Sequence, residues 1–126
     1  YTRPLHASAT EEAIAAECVA RLGGDEAFYT FVDEIFATTA SDGKYDLSTL
    51  PDLAAQAGVD RASFSTCYDD KDTESLVSED FQNGVNSGVQ GTPTIFIQTA
   101  EGKSYQAVAD YNALKVAIDA YLSENQ

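Results

Sequence analysis

The chain has 126 residues, of which 7 are Lys or Arg and 21 are Asp or Glu, so we expect one domain with a formal net charge of −14. This charge repels phosphate backbones and anionic lipid headgroups, which argues against nucleic-acid binding and membrane-surface binding. An apolar content of 44% suffices for a folded core, yet no apolar run approaches the roughly 20 residues that cross a bilayer, so neither membrane insertion nor a signal peptide is predicted.

The N-terminal part is predicted to be a short strand followed by two helices. The strand covers residues 1–5, and a Ser8-x-x-Glu11 capping box begins a helix over residues 11–22. The glycine pair at 23–24 should end that helix. Apolar residues then recur at helical spacing and predict a second helix with a buried aromatic face: Phe28, Phe31, Val32, Ile35 and Phe36.

Three further helices are predicted in the middle of the chain. Ser48 can cap a helix over residues 50–57, and Asp60 can cap one over residues 61–68. A third covers residues 72–87, and its glycines indicate close packing against a flat surface. Its stripe is Val77, Phe81, Gly84, Val85 and Gly88.

The C-terminal part is predicted to be a β-hairpin and a helix. Residues 94–99 are β-branched and apolar on both faces, which is typical of a strand in the middle of a sheet. A turn at 100–103 leads to an antiparallel partner at 104–108, and Asp110 can cap the last helix. The apolar side of that helix is Tyr111, Leu114, Ile118, Tyr121 and Leu122. Strand, helices, hairpin and helix together indicate an α/β or α+β arrangement rather than a bundle.

The cysteines and the histidine limit the chemistry of the chain. Cys18 and Cys67 are the only cysteines, so a Cys-x-x-Cys motif is impossible, and His6 is the only histidine. Neither a metal site nor a cofactor is predicted, and a catalytic Cys–His pair is disfavoured. Two thiols are compatible with one disulfide, which would indicate an oxidising compartment, or with two buried free thiols.

The most specific segment is residues 88–94, Gly-Val-Gln-Gly-Thr-Pro-Thr. It resembles the segment that leads from the helical insertion into the next strand in thioredoxin-like thiol-disulfide oxidoreductases of the DsbA type. Four other segments are similar to that family's strand-to-insert junction, first, second and later insert helices, in this order: residues 3–6, 15–18, 28–36 and 64–67. The resemblance covers nearly the whole chain.

This resemblance implies an α/β thioredoxin-like fold with a helical insertion. Residues 1–126 would form one partial domain, with the insertion at 8–88 and the hairpin and last helix at 89–126. The family's N-terminal βα unit, which carries the catalytic Cys-x-x-Cys, is missing from this chain, so no catalytic residue is expected and the chain should be redox-inert. Cys18 and Cys67, 49 positions apart, would form a structural bridge between two insert helices; two free thiols remain the alternative.

The resemblance also implies a substrate-binding loop at Gly91, Thr92 and Pro93. Thr92-Pro93 would be a cis-proline element, and the Thr92 backbone would pair with an extended substrate peptide. The local sequence alone leaves open a trans proline that only begins a strand.

The leading functional hypothesis is part of an extracytoplasmic thiol-disulfide oxidoreductase, located in the periplasm, the cell envelope or outside the cell. Its partners would be extended or unfolded protein substrates and a redox partner protein. The alternative is a non-catalytic thioredoxin-fold peptide-binding or chaperone module. A third class, glutathione-binding folds, would need a basic cluster near Pro93, and the nearest basic residue in sequence is Lys103.

Because a missing strand would leave an open sheet edge, a homodimer of the chain is also expected.

Overall fold

The computed structural model describes residues 6–40, 42–107 and 110–124. Its elements in chain order are α1 (Ala9–Thr38), a 3-10 turn (Leu47–Thr49), α2 (Leu50–Gln56), α3 (Arg61–Asp69), α4 (Glu74–Asn86), β1 (Ile95–Gln98), β2 (Ser104–Ala107) and α5 (Tyr111–Glu124). The chain divides into two compact units, unit 1 (Tyr1–Gly84) and unit 2 (Val85–Gln126). No helix within the described ranges is long and apolar enough to cross a membrane. The strand predicted at 1–5 lies outside the described residues.

The long helix α1 is broken at Gly24. Gly24 has φ 76° and ψ −171°, a conformation that is essentially confined to glycine, so the helix stops there and starts again. At Gly23, a Cβ atom would lie 2.6 Å from Ala27 Cβ and 2.9 Å from Val59 Cγ2, which only a residue without a side chain avoids. The predicted end of the first helix at this glycine pair is confirmed.

The core of unit 1 lies between α1, α2 and α3. Phe31 and Phe64 are fully buried, with ring centroids 6.3 Å apart and tilted planes. Each fully buried large apolar side chain of this kind stabilises the fold by about 1.5–3 kcal/mol. Other buried members of the cluster are Ala15, Cys18, Val19, Ile35, Leu50, Leu53, Ala54, Val59 and Cys67.

Two predicted helix caps, Asp60 and Asp110, agree with the structure, and two, Ser8 and Ser48, do not. Asp110 Oδ1 accepts from the Ala113 N–H at 2.9 Å, whereas Ser48 lies within the 3-10 turn before α2 and does not cap that helix. Asp60 caps α3 as predicted, because its carboxylate accepts hydrogen bonds of 2.8 Å from the Ser63 N–H and hydroxyl groups. The predicted capping box at Ser8 and Glu11 is wrong. Ser8 makes no side-chain cap bond and its Oγ accepts from the Tyr45 N–H at 3.4 Å, because distant parts of unit 1 reach this helix end.

The aromatic face predicted for residues 28–36 is only partly buried. Phe31 and Ile35 belong to the core and Phe28 packs at its edge, but the Phe36 side chain is 72% exposed. α4 differs more strongly, because it contains no buried residue and a Cβ atom at Gly88, just after it, would have no atom within 4 Å. Its Val77 and Phe81 are half-buried.

Unit 2 contains the predicted β-hairpin. β1 and β2 pair antiparallel, with Ile95 opposite Ala107 and Gln98 opposite Ser104. The α5 side chain Tyr121 fixes the turn: its hydroxyl donates to Glu101 Oε2 at 2.8 Å and accepts from the Ala100 N–H at 3.4 Å.

The predicted α/β thioredoxin-like fold is wrong for the structure as described. Helices dominate, and the two four-residue strands form an antiparallel pair with no parallel neighbour among the described residues. β1 is also not a central strand there, because β2 is its one described neighbour and Phe96 is 40% exposed. The physical reason is that helix-to-helix contacts build the core of unit 1, so burial of its apolar side chains does not require a sheet.

A stack of side chains links α1 to the segment after α3. The Phe64 and Tyr68 rings are stacked with centroids 5.7 Å apart, and Lys71 Nζ lies 4.5 Å from the Tyr68 ring centroid. Glu11 accepts hydrogen bonds from the Lys71 ammonium and, at 2.9 Å, from the Tyr68 hydroxyl. The Lys71 bond is the main cause of the lowered pKa of Glu11, whereas burial is the main cause that raises the pKa of Tyr68 to about 12.

We expect the variant Glu11→Gln to be less stable than the wild-type chain at pH 7 by about 0.5–1 kcal/mol, since the ion pair is partly exposed. A lowered carboxyl pKa stabilises the folded state above the pKa of the unfolded chain, near 4.3, and this contribution is lost as the pH falls through the folded value. Urea unfolding between pH 7 and pH 3 should therefore show the difference shrinking at acid pH. Glu12→Gln, the neighbouring position, is the control, and a difference that does not change with pH would contradict the assignment.

Candidate functional site

The candidate site is the loop between α4 and β1. α4 ends at Asn86, and Gly88 then adopts φ 84° while its N–H donates to the Val85 carbonyl at 3.0 Å, which turns the chain out of the helix. The Thr94 hydroxyl donates to the Gly91 carbonyl at 2.5 Å, just before β1 begins at Ile95. The loop is therefore held at both ends by its own hydrogen bonds.

The three residues predicted to bind substrate lie together at the centre of this loop. Thr92 and Pro93 are exposed, Gly91 is half-buried, and the Thr92–Pro93 peptide bond is cis. Pro93 has no N–H group. Within the described chain, neither the N–H nor the carbonyl of Thr92 has a hydrogen-bond partner. A second chain could therefore pair with this main chain without first breaking a bond in the described structure.

The other predicted site residues, Cys18 and Cys67, are bonded to each other. Their Cα atoms are 6.0 Å apart, and the bridge joins α1 to α3 in unit 1, whereas the loop belongs to unit 2. Both cysteines are buried, at 0% and 4% exposure. Thr73 lies against the bridge: its hydroxyl oxygen is 3.6 Å from Cys18 Sγ and donates to the Ile14 carbonyl at 2.9 Å. The predicted disulfide is confirmed as a buried bridge.

These observations limit what the site can do chemically. Both cysteines of the sequence are held in the bridge, and neither is free. Across residues 6–40, 42–107 and 110–124, no group of His, Cys, Asp and Glu side chains is arranged to hold a metal ion. The described site can therefore bind an extended chain through its backbone, and an attacking thiolate for disulfide exchange has to come from outside it.

Two contacts of the predicted site residues have no signal in the sequence. The bond from Thr94 to Gly91 needs the loop to turn back on itself, which spacing alone does not show. The partnership of Thr73 with the bridge joins residues 55 positions apart, so it depends on how α1 and the segment after α3 come together. The Gly-Thr-Pro-Thr motif marks the loop, but its internal bonding appears only in three dimensions.

Comparison with known proteins shows the family of the chain but no subfamily. A family model described as Thioredoxin matches residues 2–120. No curated protein and no solved structure shows a significant match to the chain.

We expect removal of the bridge to destabilise unit 1. The variant Cys18→Ala/Cys67→Ala should lose about 4 kcal/mol in the free energy of unfolding, because the bridge closes a loop of 49 positions. The measurement is urea unfolding with and without reductant: reductant should lower the stability of the wild-type chain and leave the variant unchanged. Thiol titration in denaturant should find no free thiol before reduction, and two thiols at that stage would contradict the bridge.

Proposed function

Because the chain belongs to the thioredoxin family, we propose that it forms the substrate-binding part of a DsbA-type thiol-disulfide oxidoreductase. In this proposal, the loop of Gly91, Thr92 and Pro93 holds an extended segment of a client protein. The observation that carries the proposal is that Thr92 is an exposed residue whose main-chain N–H and carbonyl have no hydrogen-bond partner among the described residues.

Main-chain recognition suits an enzyme with many clients. A backbone N–H and a backbone carbonyl bind an extended peptide independently of its side chains, as in the addition of a strand to a sheet. The Thr92 groups lie three residues before β1, so a bound segment would pair beside the main chain just ahead of that strand. The expected clients are therefore unfolded or extended regions of proteins.

The chemistry of exchange defines what this chain contributes. A thiolate attacks one sulfur of a client disulfide, forms a mixed disulfide and releases the other sulfur as a thiolate. Cys18 and Cys67 are buried in their bridge and do not supply that thiolate. We assign to this chain the positioning of the client, with a redox partner completing the exchange. A stabilising bridge of this kind supports an extracytoplasmic location.

The second candidate is a peptide-binding or chaperone module with no redox chemistry. The observation that favours it is that both cysteines of the sequence are in the bridge. An insulin-reduction assay on the longest natural protein that contains this segment separates the two functions, because only the oxidoreductase would accelerate the reaction.

We expect a labelled, cysteine-free extended peptide to bind the chain through Thr92. Fluorescence anisotropy should show an affinity about tenfold weaker for Thr92→Pro, which lacks the N–H group, and nearly unchanged for Thr92→Ala, which keeps it. Amide hydrogen exchange should slow at Thr92 when peptide is added. The Gly102 amide, which already donates to the Thr99 carbonyl, is the internal control. Protection elsewhere without a change at Thr92 would overturn the loop as the binding site.

We also expect the 126-residue chain to give no insulin reduction above that of dithiothreitol alone, because no thiolate is positioned to attack. Turbidity of precipitating insulin chains is the measurement, and an active thioredoxin is the positive control. The Cys18→Ala/Cys67→Ala variant should give the same background rate. Activity of the wild-type chain that this variant loses would show that the bridge itself exchanges, contrary to the assignment.

A further inference from the structure

Unit 1 contains a groove between α1 and α4. The start of α4 is attached to α1 through Thr73, whose hydroxyl donates to the Ile14 carbonyl at 2.9 Å. Beyond this attachment the two helices enclose an open groove of about 380 Å³. This volume is within the range of sites that bind small molecules or a few side chains.

The walls of the groove are mainly apolar. α1 contributes Ala13, Ala16 and Phe28, and α4 contributes Val77 and Phe81. Val77 and Phe81 are half-buried, although α4 has no fully buried residue. Apolar surface on both helices therefore remains in contact with solvent, and an occupant with apolar side chains would cover it.

One carboxylate from each helix also lines the groove. Glu17 comes from α1 and Asp80 from α4, and neither has an ion-pair or hydrogen-bond partner among the described residues. Elsewhere in the described chain, four cations form ion pairs, each with an acid other than Glu17 or Asp80: Arg21, Arg61, Lys71 and Lys115. The groove thus combines apolar walls with two negative charges that no described residue neutralises.

We propose that this groove binds an apolar peptide segment that carries a Lys or Arg side chain. The apolar side chains of the segment would cover Phe28 and Val77, and its cation would lie close to Glu17 and Asp80. Glu17 is half-buried and Asp80 is exposed, and both carboxylates attract a cation that lies close to them. The groove is lined by residues of unit 1 and does not include Thr92, so this binding is separate from the proposed function of the loop.

The test is fluorescence anisotropy with three synthetic labelled peptides. The first is amphipathic, with Leu and Phe on one helical face and Lys on the other; the second has Glu in place of Lys; the third has Ser in place of Leu and Phe. We expect the first to bind at least about tenfold more tightly than either of the others, with an affinity that falls as salt is raised. Equal binding of the all-polar basic peptide would assign the attraction to the net charge of the chain and overturn the proposal.

Variants of the protein locate the binding. Glu17→Gln/Asp80→Asn should weaken the first peptide about tenfold, while Asp33→Asn/Glu34→Gln, the same charge change at exposed positions of α1, should leave it within about twofold. Ala13→Phe should block the groove sterically. Thr92→Pro should have no effect. If the two charge variants behave alike, the groove is not the site.

Sedimentation velocity of the free chain is measured alongside. A monomer leaves the groove open to the peptide, and so does a dimer that persists in the Ala13→Phe variant, as the sheet-edge dimer expected from the sequence should. A dimer that dissociates in the Ala13→Phe variant would show that a second copy of the chain occupies the groove, which overturns the peptide as its occupant.

Discussion

The bridge between Cys18 and Cys67 is the constraint on which unit 1 depends most. It joins α1 to α3 inside the core, beside the fully buried Phe31 and Phe64. The Thr73 hydroxyl contacts Cys18 Sγ and donates to the Ile14 carbonyl, and these two contacts position the start of α4. The small helical core is therefore fixed covalently at its centre and by a hydrogen bond at the next element. The groove between α1 and α4 begins beyond the Thr73 contacts.

Unit 1 contains the stabilising core, and unit 2 contains the exposed candidate site. Unit 1 contains the buried apolar cluster and the bridge, while the candidate loop and the hairpin lie in unit 2. The loop keeps its shape through short-range bonds, such as that from Thr94 to Gly91, and does not need a deep core of its own. Exposed main chain at Thr92 is compatible with such local bonding, because the residues on either side are already constrained.

Features governed by local chemistry could be predicted from the sequence. The break at Gly24, the Asp60 cap and the hairpin follow from backbone preferences and short-range hydrogen bonds. The capping box at Ser8 and the burial of Phe36 could not, because they depend on which distant segments reach each helix. For the same reason, the apolar pattern of β1 did not show how few strands surround it. In the site, the motif located the loop but not its bonding, and two cysteines in a sequence do not show by themselves whether they are bonded or free.

The break at Gly24 also resets the helical phase. In an uninterrupted helix, successive residues turn by a fixed angle, so the buried stripe before residue 24 would dictate which residues are buried after it. Because the backbone leaves helical geometry at Gly24, the stripe containing Ile14 and Cys18 and the stripe containing Phe31 and Ile35 are independent. An insertion or deletion before Gly24 would therefore rotate only the helical segment that precedes Gly24. The two segments can therefore bury faces in the same core that one uninterrupted helix could not bury together.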